Sequence, residues 1–270
     1  MKNDRLKSIL GIPYFLFLVI FVVCPVLILL YYAFTNGAGE FSLANFTLFF
    51  TDSKAIGTLI YSVMVAVVTT IVCLLIAYPV AYLLAKGEFR RGNVLLMLFV
   101  MPMWINFTLR ITALKEILTL IEGNLAFHPF LNTVIGMTYD FLPFMILPIY
   151  NTIAKIDHSY IEAAKDLGAK SYRVFLRVIL PLSIPGIISG ITMVFLPSMT
   201  NYVVLDMMYN STYIMGSLVG SYFSMYDWNN GSVISMILLI LILLLSTITG
   251  EFSDKEKNAC LLYTSDAADD

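Results

Sequence analysis

The sequence predicts an all-α membrane protein with six transmembrane helices. Hydrophobic residues make up 59% of the 270 residues and charged residues only 13%, which is more apolar surface than the core of a water-soluble domain needs. Six apolar runs are each long enough to cross a bilayer, which takes about 20 residues per helix. A charged stretch separates the fourth run from the fifth. We therefore expect one membrane domain over residues 1–258, with a short structured segment in water.

The apolar runs define the spans. The first follows a basic N-terminus, is too long for the core of a signal peptide and has no small-residue cleavage site behind it, so we interpret it as a span. We expect Pro25 to kink it and Pro197 to break the fifth span. Leu114–His128 is predicted to be an external loop. The six predicted spans are Ile12–Phe34, Ala55–Ala85, Val94–Ala113, Leu131–Ile153, Leu182–Val204 and Ser232–Thr249.

The distribution of Lys and Arg gives an orientation. With both termini in the cytoplasm, every Lys and Arg except Lys54, Arg110 and Lys115 falls in a cytoplasmic segment. Positive charge is enriched on that side of membrane proteins. The charged stretch between the fourth and fifth spans is therefore expected in the cytoplasm.

That stretch, Ser159–Pro181, is called the polar segment below. Ser159 and Glu162 have the spacing of a capping box, which predicts a short helix beginning there. Ala163 and Ala164 favour helix and leave a smooth face that another backbone can approach. Gly168 is a natural helix stop. We expect Ser171 to cap a second helix and Pro181 and Pro185 to allow a bend where the chain re-enters the bilayer.

The spacing in the polar segment resembles the EAA loop of ABC-importer permeases. The matching positions are Glu162, Ala163, Ala164, Gly168, Val178, Leu180 and Pro181. The family usually has Ile where this chain has Val178. The alternative interpretation is an ordinary capped surface helix. The resemblance implies a coupling helix that docks on a cytoplasmic ABC ATPase dimer, and that Glu162, Ala163, Ala164, Gly168, Leu180 and Pro181 carry the coupling.

Other stretches resemble one branch of this family, the permeases of spermidine/putrescine importers. They are Met101–Ala113, Tyr139–Tyr150 and Asp227–Gly231. The chain departs from the branch at Met207–Tyr209, where a Gly-Gly pair is expected. The resemblance covers about residues 8–250. It implies the type I importer fold, a second permease subunit, an extracytoplasmic solute-binding protein and a multi-pass location in the bacterial inner membrane.

A polyamine site requires carboxylates to balance positive charge and aromatic faces for cation–π contacts. Two interpretations of Arg110 stay open: its side chain snorkels to the headgroups, or it has a structural or pathway role. The aromatic residues are alternatively interfacial or packing residues. The candidate pathway residues are Trp104, Arg110, Tyr139, Asp140, Tyr202 and Asp206.

Two other functions are weighed. An ABC permease for another small solute, such as iron or an anion, would keep the same machinery. An ion-coupled secondary transporter would need ionisable residues at the membrane midplane, and the span centres are almost free of carboxylates. The chain has no P-loop motif, so a partner must hydrolyse ATP. We expect no catalytic residue, cofactor, metal site or nucleic-acid partner.

The last twelve residues differ from the rest. Ala259–Asp270 resembles the translation of a sequencing adaptor, so we interpret it as a foreign tail rather than part of the fold. The alternative is a natural acidic terminus. Cys24 and Cys73 lie in apolar runs and are interpreted as packing residues.

Overall fold

Helices joined by short turns form nearly all of the described chain. The structure, a computed structural model, describes residues 13–87, 92–208, 211–244 and 247. The basic N-terminal residues, the basic turn around Arg90 and the predicted foreign tail lie outside these residues. The helices are α1 (Pro13–Ala33), α2 (Ala44–Thr51), α3 (Ser53–Lys86), α4 (Gly92–Val100), α5 (Phe107–Glu122), α6 (Pro129–Lys155), α7 (His158–Asp166), α8 (Ser171–Ser198), α9 (Tyr202–Met207), α10 (Met215–Ser224) and α11 (Trp228–Leu244).

Four of these helices, α1, α3, α6 and α8, are long and apolar enough to cross a membrane. A fifth crossing is possible if α4 and α5 act as one broken span. The all-α membrane architecture is thus confirmed. A sixth span stays a prediction, because α11 is apolar but shorter than a span within the described residues.

The helices group into two compact units. The first contains the described parts of Met1–Leu59 and Met215–Leu241, and the second contains those of Ile60–Ile214 and Ile242–Asp270. The single domain expected over residues 1–258 stays a prediction.

The third predicted span, Val94–Ala113, is not one straight helix. Helix α4 ends in a 3₁₀ turn at Met101–Trp104, and α5 starts at Phe107 after a bend of 99°. Asn106 sets this start, because its side-chain oxygen accepts the N–H groups of Thr108 and Leu109 and caps the new helix. The prediction of a loop at Leu114–His128 was therefore wrong for the part that α5 occupies.

The fifth span also differs from the prediction. Helix α8 runs from Ser171 to Ser198, and neither Pro181 nor Pro185 breaks it. A π-helical turn at Phe175–Ile179 precedes Pro181, and there the Leu180 N–H bonds to the Phe175 carbonyl five residues back. This local widening shifts the hydrogen-bond ladder just before a residue that has no N–H to donate.

The core of the second unit lies mainly between α6 and α8. One face of α8 carries four small residues, all of them buried: Ser183, Gly186, Gly190 and Ser198. A Cβ built on Gly186 would lie 2.8 Å from the carbonyl oxygen of Pro148 and 2.5 Å from Thr152 Oγ1. The two backbones therefore approach too closely for any side chain at this position, as is common where membrane helices pack through small residues.

Candidate functional site

Helix α7, in the polar segment, begins earlier than predicted. Its cap is Asp157, whose side chain accepts the Ser159 N–H at 3.0 Å. Hydrogen bonding with Ser159 holds the pKa of the Asp157 carboxyl below its usual value. The predicted capping box was wrong, because the Ser159 N–H is the group being capped. Glu162 Oε1 instead lies 3.5 Å from Nδ1 of His158 on an exposed surface.

Gly168 ends α7 as predicted. Its φ is +79°, a left-handed conformation that favours glycine. Its N–H bonds to the Lys165 carbonyl at 2.8 Å, and the Ala169 N–H bonds to the Ala164 carbonyl at 3.1 Å. These two bonds form a Schellman motif, which turns the chain sharply into α8. That helix begins at Ser171, but its cap position is Lys170 and no side chain caps it.

The inner face of the polar segment is anchored to the membrane helices. Ile161 packs in a buried cluster with Ile156, Val174 and Ile179. The Phe175 ring, in the π turn, makes edge-on contacts with Tyr78 and Tyr82 of α3, at 5.7 and 5.5 Å between centroids. Lys86, at the end of α3, donates to the Ile156 carbonyl at 2.5 Å. Helix α7 thus packs on α8, and both contact the end of α3.

The outer face of the polar segment exposes apolar surface. The side chain of Leu167 is 89% exposed, and Tyr160 and Tyr172 are also exposed. Ala163 is exposed, whereas Ala164 is half-buried and packs against the inner cluster. The smooth face predicted for both alanines stays a prediction.

A groove of about 310 Å³ lies beside this face. Arg173 and Arg177 give the groove a positive charge. Its lining residues are Ala164, Leu167, Gly168, Ala169, Arg173, Val174, Arg177 and Val178. The exposed side chains of Tyr160, Leu167 and Tyr172, together with this basic groove, make the outer face a candidate protein contact surface.

Two of the candidate pathway residues form a buried ion pair. Arg110 Nη2 on α5 lies 2.6 Å from Asp140 Oδ1 on α6, and both side chains are over 90% buried. Arg110 Nε and Nη1 have no partner among the described residues. The pair joins two helices of the second unit immediately after the bend at Asn106. The charge of the Asp140 carboxylate is therefore balanced by Arg110 within the protein.

The other four candidates lie on exposed surface. Trp104 is 90% exposed in the 3₁₀ turn, while Tyr139, Tyr202 and Asp206 are also exposed. Helix α9, which carries Tyr202 and Asp206, packs against α5 and α6 through its buried face. Arg110 and Asp140 are thus brought together, and the exposed candidates are not joined to them by any described contact.

The stretch Asp227–Gly231 forms a junction in the first unit, a role that the sequence did not reveal. The Asn229 side-chain amide donates to the carbonyls of Tyr32 and Thr35, at 3.0 and 2.6 Å, at the end of α1. Trp228 packs against the ring of Tyr32. This stretch therefore fixes the start of α11 to the end of α1.

Comparison with known proteins identifies the family. Residues 5–253 match the model of the binding-protein-dependent transport system inner membrane component. The spermidine/putrescine transport system permease protein PotB of Haemophilus influenzae is 35% identical, with 90% of this chain and 92% of that protein aligned. The PotB protein of Escherichia coli is 34% identical over 74% of this chain and 78% of its own length.

Solved structures show the same fold at low identity. A chain of a bacterial alginate ABC transporter, solved with an alginate-pentasaccharide-bound periplasmic protein, superposes with a TM-score of 0.75 at 12% identity, covering 94% of this chain and 96% of that one. A chain of the inward-facing MetNI methionine ABC transporter gives 0.58 at 16% identity, covering 76% and 99%. Because the family model matches residues 5–253, the chain belongs to the family of binding-protein-dependent transport system inner membrane components.

Proposed function

We propose that this protein is the permease subunit of an ATP-driven importer that carries polyamines of the spermidine/putrescine type. The observation that supports the cargo most strongly is the 35% identity, over most of both chains, to a spermidine/putrescine permease. The protein is a transport component and not an enzyme, so a separate subunit supplies ATP hydrolysis.

We propose that α7 is the coupling helix. Its outer face offers Leu167 and the basic groove to a cytoplasmic ATPase dimer, and its inner face is packed on α3 and α8. The coupling residues proposed from the sequence are Glu162, Ala163, Ala164, Gly168, Leu180 and Pro181. Gly168 supports this proposal by setting the turn that joins α7 to α8.

The remaining partners follow from the same proposal. The chain pairs with a second permease subunit in the inner membrane, with both termini in the cytoplasm. An extracytoplasmic solute-binding protein delivers the cargo. The exposed residues Trp104, Tyr139, Tyr202 and Asp206 lie along the path, and Arg110 with Asp140 holds the α5–α6 wall beside it. The combination of exposed aromatic faces and one free carboxylate suits a polycation.

Uptake tests this function directly. The complete importer, expressed in bacteria that lack their own polyamine importers, is expected to accumulate radiolabelled spermidine or putrescine in an ATP-dependent manner. Uptake of iron or of an anion, with no uptake of polyamines, would contradict the proposed cargo. Uptake by this chain alone, in proteoliposomes without ATP, would contradict the ATP-driven mechanism.

Leu167→Asp is expected to uncouple the importer without unfolding it. Burying a leucine in an interface contributes about 1.5–3 kcal/mol, so its loss should weaken ATPase binding by roughly 10- to 100-fold. The measurement is the amount of ATPase subunit that copurifies with the permease, together with spermidine uptake.

Leu120→Asp is the matched control for this prediction. Leu120 is 87% exposed on α5 and does not line the basic groove. The like charge of Glu116, four residues earlier, costs only about 0.2–0.5 kcal/mol. The control should retain the ATPase. Normal ATPase recovery with Leu167→Asp would exclude Leu167 from the coupling surface.

A further inference from the structure

A cavity of about 340 Å³ lies within the first unit, and none of its lining residues belongs to the polar segment or to the candidate pathway residues. It is formed by α2 and the start of α3 on one side and by α10 and α11 on the other. Its lining residues are Asn45, Leu48, Phe49, Thr51, Asp52, Ala55, Tyr222, Asn230, Val233 and Ile234. Neither Lys nor Arg is among these described lining residues.

Several hydrogen-bond acceptors remain available in this cavity. One N–H of the Asn45 amide donates to the Thr35 carbonyl at 2.8 Å. The Asn230 amide nitrogen likewise donates to Asp227 Oδ2 at 2.8 Å. The side-chain oxygens of both residues have no partner among the described residues. Asp52 accepts the Lys54 N–H through Oδ1, which leaves Oδ2 for another donor.

The electrostatic environment of Tyr222 agrees with this picture. Burial raises the pKa of Tyr222, and the negative charges of Asp52 and Asp227 raise it further. The Asp52 carboxylate therefore places a negative charge in the lining of the cavity, and the aromatic rings of Tyr222 and Phe49 form part of its wall.

We propose that this cavity binds a primary ammonium group, held by the Asp52 carboxylate and the side-chain oxygens of Asn45 and Asn230 against the aromatic wall. An ammonium has three donors and no acceptor, so it can donate to the Asp52 carboxylate and to the side-chain oxygens of Asn45 and Asn230. The positive charge also gains from the nearby aromatic faces. Carboxylate, amide oxygen and aromatic ring together select a cationic amine over a neutral or anionic solute.

Two sources supply such a group. One is a free polyamine, and this assignment rests on the proposed function. The other is the headgroup of phosphatidylethanolamine, and this assignment is independent of the proposed function. The cavity chemistry is common to both, so the test includes an arm for each source.

The test uses the complete importer in nanodiscs, with Thr51→Cys in the cavity wall and Cys24 and Cys260 replaced by serine. Cys73 stays, because it is fully buried. The rate of Thr51→Cys labelling by a cationic methanethiosulfonate reagent is measured in nanodiscs of phosphatidylcholine and phosphatidylglycerol. Putrescine is expected to slow labelling about tenfold at saturation, whereas 1,4-butanediol, which lacks the charges, should have no effect.

Variants locate the effect. Asp52→Asn should abolish protection, and Glu40→Gln, which removes an exposed carboxylate of the same unit that does not line the cavity, should preserve it. Protection only when phosphatidylethanolamine is present would assign the site to the lipid headgroup. Equal effects of putrescine and butanediol, or no protection by putrescine or phosphatidylethanolamine, would overturn the proposal. This comparison keeps Asp52, so it does not depend on whether the Asp52→Asn variant folds. Because labelling requires no transport, failed uptake alongside normal protection would count against the proposed function only.

Discussion

Asp140→Leu is expected to destabilise the protein by about 3–5 kcal/mol, because it leaves the Arg110 guanidinium buried without its partner. The two side chains are only 6% and 7% exposed, and Arg110 already has two nitrogens without a partner among the described residues. The measurement is the midpoint of thermal unfolding of the purified importer. Labelling of the fully buried Cys73 by a thiol-reactive fluorophore reports unfolding, with Cys24 and Cys260 replaced by serine.

The double variant Arg110→Met/Asp140→Leu is the control for this prediction. Replacing a whole buried ion pair by apolar side chains of similar size is often neutral or stabilising, so its midpoint should return close to that of the unmodified protein. If the double variant is as unstable as the single one, the pair does not act as a unit. An unchanged midpoint in Asp140→Leu would show that Arg110 finds another partner.

Gly186→Ala is expected to destabilise the α6–α8 interface by about 1–3 kcal/mol, the cost of overpacking a core. The new methyl group would meet the Pro148 carbonyl at 2.8 Å, and a backbone atom inside a helix cannot move aside. The same Cys73 labelling assay measures the effect, and spermidine uptake should fall with the amount of folded protein.

Two other glycines provide graded controls. A methyl group on Gly190 would chiefly meet the Met145 sulfur at 2.6 Å, a flexible side-chain atom, so Gly190→Ala should cost less than Gly186→Ala. Gly220 on α10 has nothing within 4 Å of its Cβ position, so Gly220→Ala should be neutral or slightly stabilising. Equal midpoints for all three variants would contradict the close approach at Gly186.

Several features could be predicted from the sequence because they depend on local patterns. Apolar runs indicated the long helices α1, α3, α6 and α8, since length and composition decide whether a helix can span a bilayer. Gly168 was predicted to end α7 because the left-handed conformation is easily reached only by glycine. The family was indicated by the spacing within the polar segment, and the match over residues 5–253 confirms it.

Other features depend on competition between local signals. Asp157 and Ser159 are both good cap residues, and the helix starts at the earlier one. Asn106 ends the third predicted span early by capping a new helix, although the surrounding residues are apolar enough to continue. Pro181 makes no break, because the π turn before it already alters the hydrogen-bond ladder. None of these outcomes follows from hydrophobicity alone.

Tertiary contacts were beyond the reach of a single sequence. Arg110 and Asp140 are 30 residues apart, and only the packing of α5 on α6 brings them together. The cavity around Asp52 combines α2 with α10 and α11, which are far apart in the chain. Aspartates in or beside a predicted span look alike in sequence, whether they are paired, as Asp140 is, or exposed, as Asp206 is.

Site-specific cross-linking from α7 tests the central claim most directly. A photo-reactive residue replaces Ala163, whose exposed side chain is not part of the inner cluster, and the complete importer is irradiated in inverted membrane vesicles. We expect a covalent product between the permease and a subunit that contains a nucleotide-binding P-loop. Failure to cross-link any ATPase in vesicles that still import spermidine, or labelling of this position from outside intact cells, would contradict it.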